Sequence, residues 1–244
     1  MELPGADTTG RRRRSTRDRP AKAPLSYDTV VDAALAILRS EGLEAVSMRR
    51  VAAALDTGPG SLYVYVRGRD ELVAAMLDRI TGTVELETPN RRRWRTQLFS
   101  LLERSRDVFI AHPGIAAASM IDPPQTETVL RYLENLLGLL LAGGIDAQDA
   151  AWAADILVAQ VTYAAIEAEL RSTDPSELAD RTAHVFSRLP ADRFPLVTGH
   201  ISELTAGSVD ERFRFAIDVI LDGVLARAQR GPTSRPNSRR GQPA

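Results

Sequence analysis

The chain has 244 residues, 44% apolar and 26% charged, with a formal net charge of −1, a balance close to the globular average that predicts a folded core over most of its length. The absence of cysteine excludes disulfides, thiolate zinc sites and cysteine nucleophiles together. A 5% aromatic share beside abundant alanine and leucine favours helix over strand, and no apolar run reaches the ~20 residues that span a bilayer, so a cytoplasmic protein without a membrane partner is expected.

Residues 1–24 concentrate positive charge. Arg11, Arg12, Arg13, Arg14, Arg17, Arg19 and Lys22 face only Asp18 between Arg11 and Pro24. Without apolar periodicity this segment reads as a disordered basic arm, either a solubilising tail or a contact for a polyanion. The first helix is expected after Ser26, a good N-cap, and should run to about Ser40, with Gly42 as its stop and Val30, Ala34, Ile37 and Leu38 on one face. A second begins after Ser47 and presents Val51 and Leu55 before ending near Asp56. Thr57-Gly58-Pro59-Gly60 breaks the pattern, since proline is tolerated only in a first turn. A third helix should hold Leu62, Tyr63 and Tyr65, and a fourth should run from Asp70 to Glu85 with Leu72, Met76, Leu77 and Ile80 inward. Two short helices joined by a tight turn within a three-helix unit make a helix-turn-helix, which defines residues 25–70 as a DNA-binding domain.

Further helices are expected at Arg92–Ala111, Ile115–Met120, Thr126–Leu141, Ala147–Leu170, Ser176–Arg188 and Asp210–Arg227, with Leu189–Val209 as loop and one short helix. The fold class is therefore all-α, with residues 71–229 as a larger helical ligand-binding and dimerisation domain and 230–244 as a disordered tail. Ala147–Leu170 is apolar on nearly every side, and the last helix spreads Phe213, Phe215, Ile217, Val219 and Leu221 over more than one face. Such helices need partners all round, so they predict a two-fold homodimer closed by a four-helix bundle. Two central helices of a monomer would show the same periodicity.

A helix-turn-helix lays its second helix in the major groove of double-stranded DNA while flanking groups hold phosphates. Ser47 and Arg49 at the start of the supporting helix, Tyr63 and Tyr65 on the recognition helix and Arg69 at the head of the next have side chains suited to that work. The run from Val46 to Val73, VSMRRVAAALDTGPGSLYVYVRGRDELV, strongly resembles the DNA-binding domain of the tetracycline-repressor (TetR) family, through Ser47, Arg49, Ala52, Leu62-Tyr63, Tyr65, Arg69 and Leu72. The resemblance implies that Ser47, Tyr63, Tyr65 and Arg69 hold phosphates, and that Arg49, Thr57, Gly58, Gly60, Ser61 and Tyr63 lie against base edges. The family commonly has Gly where this chain has Asp56. Phe213–Gly223, FRFAIDVILDG, looks like the closing helix of the C-terminal domain class of the same family. The implied function is a ligand-responsive regulator, a repressor that binds an operator as a dimer and is released by a small-molecule effector through a population shift; an activator of the same fold is the alternative. Arg11 to Arg19 could add minor-groove contacts in front of the domain.

Effector pockets in helical bundles are mostly apolar with a few placed polar groups. Phe99, Phe109, Met120, Leu136, Trp152, Ile156, Gln160, Tyr163 and Phe186 are the candidate lining, with His112 at a helix end before Pro113 and Gly114, although core packing explains each singly. No metal or other cofactor is expected, since His112, His184 and His200 show no ligand spacing. No Ser-His-Asp order, phosphate loop or paired carboxylate suggests an enzyme.

Overall fold

The computed structural model describes residues 24–118, 126–170 and 175–230, and every regular element among them is helical. The basic arm with Arg11, Arg12, Arg13 and Arg14, the tail from 231, and Met120 lie outside the described residues.

Helix α1, Tyr27–Glu41, begins as its sequence requires. The Ser26 side chain accepts from the Thr29 amide at 3.2 Å while the Thr29 hydroxyl oxygen accepts from the Ser26 amide at 2.8 Å, so two donors without helical partners satisfy each other's residues. Gly42, at φ 81°, ends the helix and donates to the Leu38 carbonyl. A 3₁₀ turn at Leu43–Ala45 leads to α2, Met48–Ala54, then α3, Pro59–Leu62, and α4, Arg69–Thr81. Val30, Ala34, Leu38, Val51, Leu62, Leu72 and Met76 meet in one core, each almost wholly buried.

The recognition helix is shorter than expected. It starts at Pro59, includes Gly60, and closes at Leu62 with Tyr63 as its cap, so Tyr65 lies in the turn beyond it. Leu62, fully buried, anchors this single turn to the core, which supplies what its own propensity does not. Helix α4 ends at Thr81 instead of Glu85: Gly82 caps it, and Val84 turns into the core of the second domain.

The crossing from 82 to 93 is irregular but firmly held. Buried Gln97 accepts from the Asn90 amide at 2.9 Å and donates to the Thr88 carbonyl at 3.0 Å, while Asn135 donates to the Glu87 carbonyl at 2.7 Å. The second domain then builds α5, Trp94–Ile110; α6, Ile115–Ala118; α7, Glu127–Ala142; α8, Ala147–Leu170; α9, Pro175–Ser187; α10, Pro195–Gly199; α11, Ile201–Thr205; and α12, Val209–Arg230. Helix α8 packs against α5, α7 and α12, around Leu98, Leu102, Leu136, Leu140, Leu157, Phe213 and Ile217. Helices α9, α10 and α11 pack on one another. Two short helices therefore occupy the segment 189–209 where one was expected.

The domains meet at the turn between α5 and α6. Arg39 of α1 donates to His112 Nε2 at 3.1 Å, and the His112 Nδ1 contact with the Val108 carbonyl at 2.7 Å makes that nitrogen the ring's donor. Gly114, at φ 83°, lies so close to the 3₁₀ turn that a Cβ there would sit 2.9 Å from the Leu43 Cβ. Its amide donates to the Glu169 carboxylate at 2.9 Å, bringing α8 to the same point. Val108 and Phe109 touch both cores.

Candidate nucleic-acid interface and effector cavity

Residues 47–69 turn a set of polar groups to one exposed edge. Ser47 caps α2, its oxygen accepting from the Arg50 amide at 3.2 Å. Arg50 pairs with Glu41, which holds the Glu41 carboxyl below its ordinary range. Arg49, one residue earlier, is exposed and has no hydrogen-bond or ion-pair partner among the described residues, so its guanidinium is available to an outside acceptor.

The turn before α3 contains Asp56 at φ 49°, the left-handed conformation that a glycine adopts most easily and that Asp tolerates better than most side chains. Thr57 follows, half-buried, and Gly58 caps α3. Nothing lies within 4 Å of where a Cβ would stand on Gly58 or Gly60, so the backbone of the recognition turn is bare on its outer side. Ser61 is exposed and Tyr63 is 55% exposed. Val64, 80% exposed, was not among the sequence candidates. An apolar side chain at the tip of a recognition element suits contact with a thymine methyl.

Two expected phosphate ligands are engaged inside the protein. The Tyr65 hydroxyl donates to the Leu25 carbonyl at 2.7 Å, tying the entry of α1 to the end of the reading unit. Arg69 donates to the Val46 and Leu43 carbonyls at 2.9 and 3.1 Å, bracing the approach to α2.

A cavity of about 1320 Å³ opens between the domains and runs into the helical core. Its lining includes the exposed Glu44, Arg67, Arg69, Asp70 and Asp155 and the buried or half-buried Val84, Ser105, Val108, Phe109, Tyr132, Leu133, Ala154 and Val161. Of the side chains expected to line a pocket, Phe109 does. Leu136 is core, His112 sits in the domain junction, and Phe99 and Phe186 are half-buried away from the cavity lining. Trp152, Ile156 and Tyr163 point outward instead, and Gln160 with Tyr163 edges a separate hollow of about 230 Å³ beside Phe213.

The cause is that α8 presents three faces. Ala153, Leu157 and Ala164 pack inward, Ala151, Asp155 and Val158 face the cavity, and Trp152, Ile156, Ala159 and Tyr163 form an outer stripe. The side chains missed in the sequence include apolar Val84, Val108, Leu133 and Val161 and the polar Ser105, Tyr132 and Asp155. Asp155 had a signal: it is the lone acid in the otherwise uncharged run from Ala150 to Ile166. Burial pushes the Tyr132 phenol above its ordinary range, a rise that the Ser105 hydrogen bond opposes. Among the described residues no cluster of three or more His, Asp or Glu is arranged to hold a metal ion, and no helix is long and apolar enough to cross a membrane.

Residues 30–76 match the family of bacterial regulatory proteins called tetR, and residues 87–228 match the tetracyclin repressor-like C-terminal domain. The chain belongs to the TetR family. This TetR-family chain is 32% identical to the HTH-type transcriptional repressor DrrR1 of Streptomyces coeruleorubidus over 90% of its own length and 86% of that protein. Apo ActR from Streptomyces coelicolor superposes with a TM-score of 0.80 at 34% identity, over 87% of this chain and all of that one. ActR in complex with actinorhodin gives the same TM-score and identity, over 86% of this chain and 100% of ActR. TetR-family membership makes the chain a transcriptional regulator and places it in a regulator family, not an enzyme family.

Proposed function

We propose that the protein is a dimeric repressor that holds an operator through two copies of the edge formed by residues 47–64 and lets go when a small organic molecule fills the interdomain cavity. The observation that carries this reading is the cavity itself: its lining joins Arg69, Val73 and Leu77 of the DNA-binding side to Val108, Leu133 and Val161 of the helical core. A molecule wedged there changes how α4 lies on α5, α6 and α7, the helices it packs against. A differential affinity for the two arrangements is all that release requires, with couplings of about 1–3 kcal/mol typical.

Dimerisation is supported by matched exposure on two neighbouring helices. Trp152, Ile156, Ala159 and Tyr163 on α8 repeat at the same intervals as Phe215, Val219, Asp222 and Ala226 on α12, and α8 packs beside α12. Tyr163 is 58% and Phe215 71% exposed in the single chain, an apolar face that a second copy would cover by two-fold symmetry. The partner's reading edge would then meet the next major groove, about 34 Å along the duplex. The arm carrying Arg11 to Arg14 would add phosphate or minor-groove contacts and steepen the salt dependence of binding.

Selection of bound fragments from genomic DNA, followed by a mobility-shift titration, tests the reading. A discrete two-fold symmetric site bound by a dimer is the expected result. Only indiscriminate binding by a monomer, abolished at moderate salt, would overturn it.

A further inference from the structure

The cavity keeps its charged and its uncharged polar groups apart. Its carboxylates and guanidinium groups are exposed, except for the half-buried Glu71 carboxylate, which accepts from both the amide and the guanidinium of Arg67. Water screens the exposed charges. The other polar side chains of the lining, buried or half-buried, are all hydroxyls: Thr81, Ser105, Thr126 and Tyr132.

Among these hydroxyls there are hydrogens to spare. Ser105, 5% exposed, shares its hydrogen between the Leu101 carbonyl at 2.7 Å and the Tyr132 oxygen at 3.0 Å. The Tyr132 oxygen therefore already accepts inside the protein, and its own hydrogen has no acceptor among the described residues. Burial raises the phenol above its ordinary range, which keeps that hydrogen in place. Thr126, whose oxygen accepts from the Val129 amide at 3.3 Å, likewise keeps a hydrogen to give. A buried donor left unused is costly, and an acceptor oxygen on a bound molecule removes that cost. An ionised group would give up its hydration among Val84, Leu133 and Val161, where no buried side chain carries the opposite charge.

We infer that the buried part of the effector is uncharged and apolar and carries a carbonyl oxygen that accepts from the Tyr132 hydroxyl. This rests on the cavity being the effector site. It adds the polar group by which the effector is read, the side chain that reads it, and Ser105 as the residue that orients the phenol.

Fluorene and 9-fluorenone share a flat tricyclic body and differ only in the carbonyl, so equilibrium dialysis of each against the full-length protein isolates the contribution of that oxygen. Tyr132→Phe should weaken fluorenone binding about ten-fold, because the carbonyl is then buried without a partner, and leave fluorene binding within about two-fold. The carbonyl stretching band of fluorenone falls in frequency when the oxygen accepts a hydrogen bond. In the wild-type complex it should lie below its position in cyclohexane, and Tyr132→Phe should return it toward that position. The inference is overturned if neither compound binds, if Tyr132→Phe weakens both equally, if it leaves fluorenone binding unchanged, or if the band in the wild-type complex matches that in cyclohexane. A mobility-shift titration of the wild-type protein on its operator, run alongside, separates the two readings. If operator binding is intact while the carbonyl preference fails, only the assignment to Tyr132 falls; if operator binding is missing, the repressor reading falls as well.

Discussion

At the scale of single residues, exposed polar groups near the reading edge divide into those with partners and those without. Arg49 has none among the described residues, whereas the Tyr65 hydroxyl is bonded to the Leu25 carbonyl. Opposite mutant phenotypes should result. Arg49→Ala should cost about 1–3 kcal/mol of operator affinity and relax sequence discrimination, with thermal stability unchanged. Tyr65→Phe should lower stability by about 1 kcal/mol, seen as a shifted denaturation midpoint, and change operator affinity far less. Glu87 supplies a pH signature. Hydrogen bonds from Gln97 and Arg104 hold its carboxyl below the ordinary range, so its contribution is complete above the usual carboxylate pKa and disappears as pH falls through the lowered folded value. Glu87→Gln should flatten the acid limb of a stability-against-pH curve; an identical limb would deny the carboxylate that role.

At the scale of elements, the sequence was legible where local chemistry decides a boundary. Ser26 and Gly42 bracket the first helix as expected, Ser47 caps the second, and Ala147–Leu170 has the limits read from its composition. The recognition helix was less legible because its stability is not local: a tetrapeptide of Pro, Gly, Ser and Leu is held by the burial of Leu62, which only the assembled core provides. The pocket was largely illegible for a related reason. Large side chains on α8 advertise burial, but which face meets a cavity, a core or a second chain depends on neighbours far away in sequence, and small or polar Ala151 and Asp155 line the wall while Trp152 and Ile156 do not. The glycine in α3 gives a test at this scale. Gly60→Ala meets no obstructing atom and improves helix propensity by up to about 1 kcal/mol, so stability should rise. If the bare backbone there faces base edges, operator affinity should fall at the same time; improved stability with unaltered affinity would move the contact surface elsewhere.

At the scale of the molecule, the outer stripe on α8 and its counterpart on α12 set the arrangement of two reading edges. Ile156→Glu places a charge in the middle of that stripe without touching the core or the cavity lining. Sedimentation should show a monomer that keeps its helical content, and cooperative operator binding should be lost. A dimer of undiminished strength would assign the apolar face to some other purpose.

The contact between Gly114 and Leu43 bears on how motion crosses the chain. Surfaces that mesh with no room for a methyl have no slack, so a small displacement on the sensing side must be passed on, as between teeth of a gear. Gly114→Ala would jam the mechanism by holding the halves apart permanently. Its expected mark is a protein whose grip on DNA has become indifferent to whatever occupies the interior, detectable as an operator dissociation constant that no longer shifts on adding inducer.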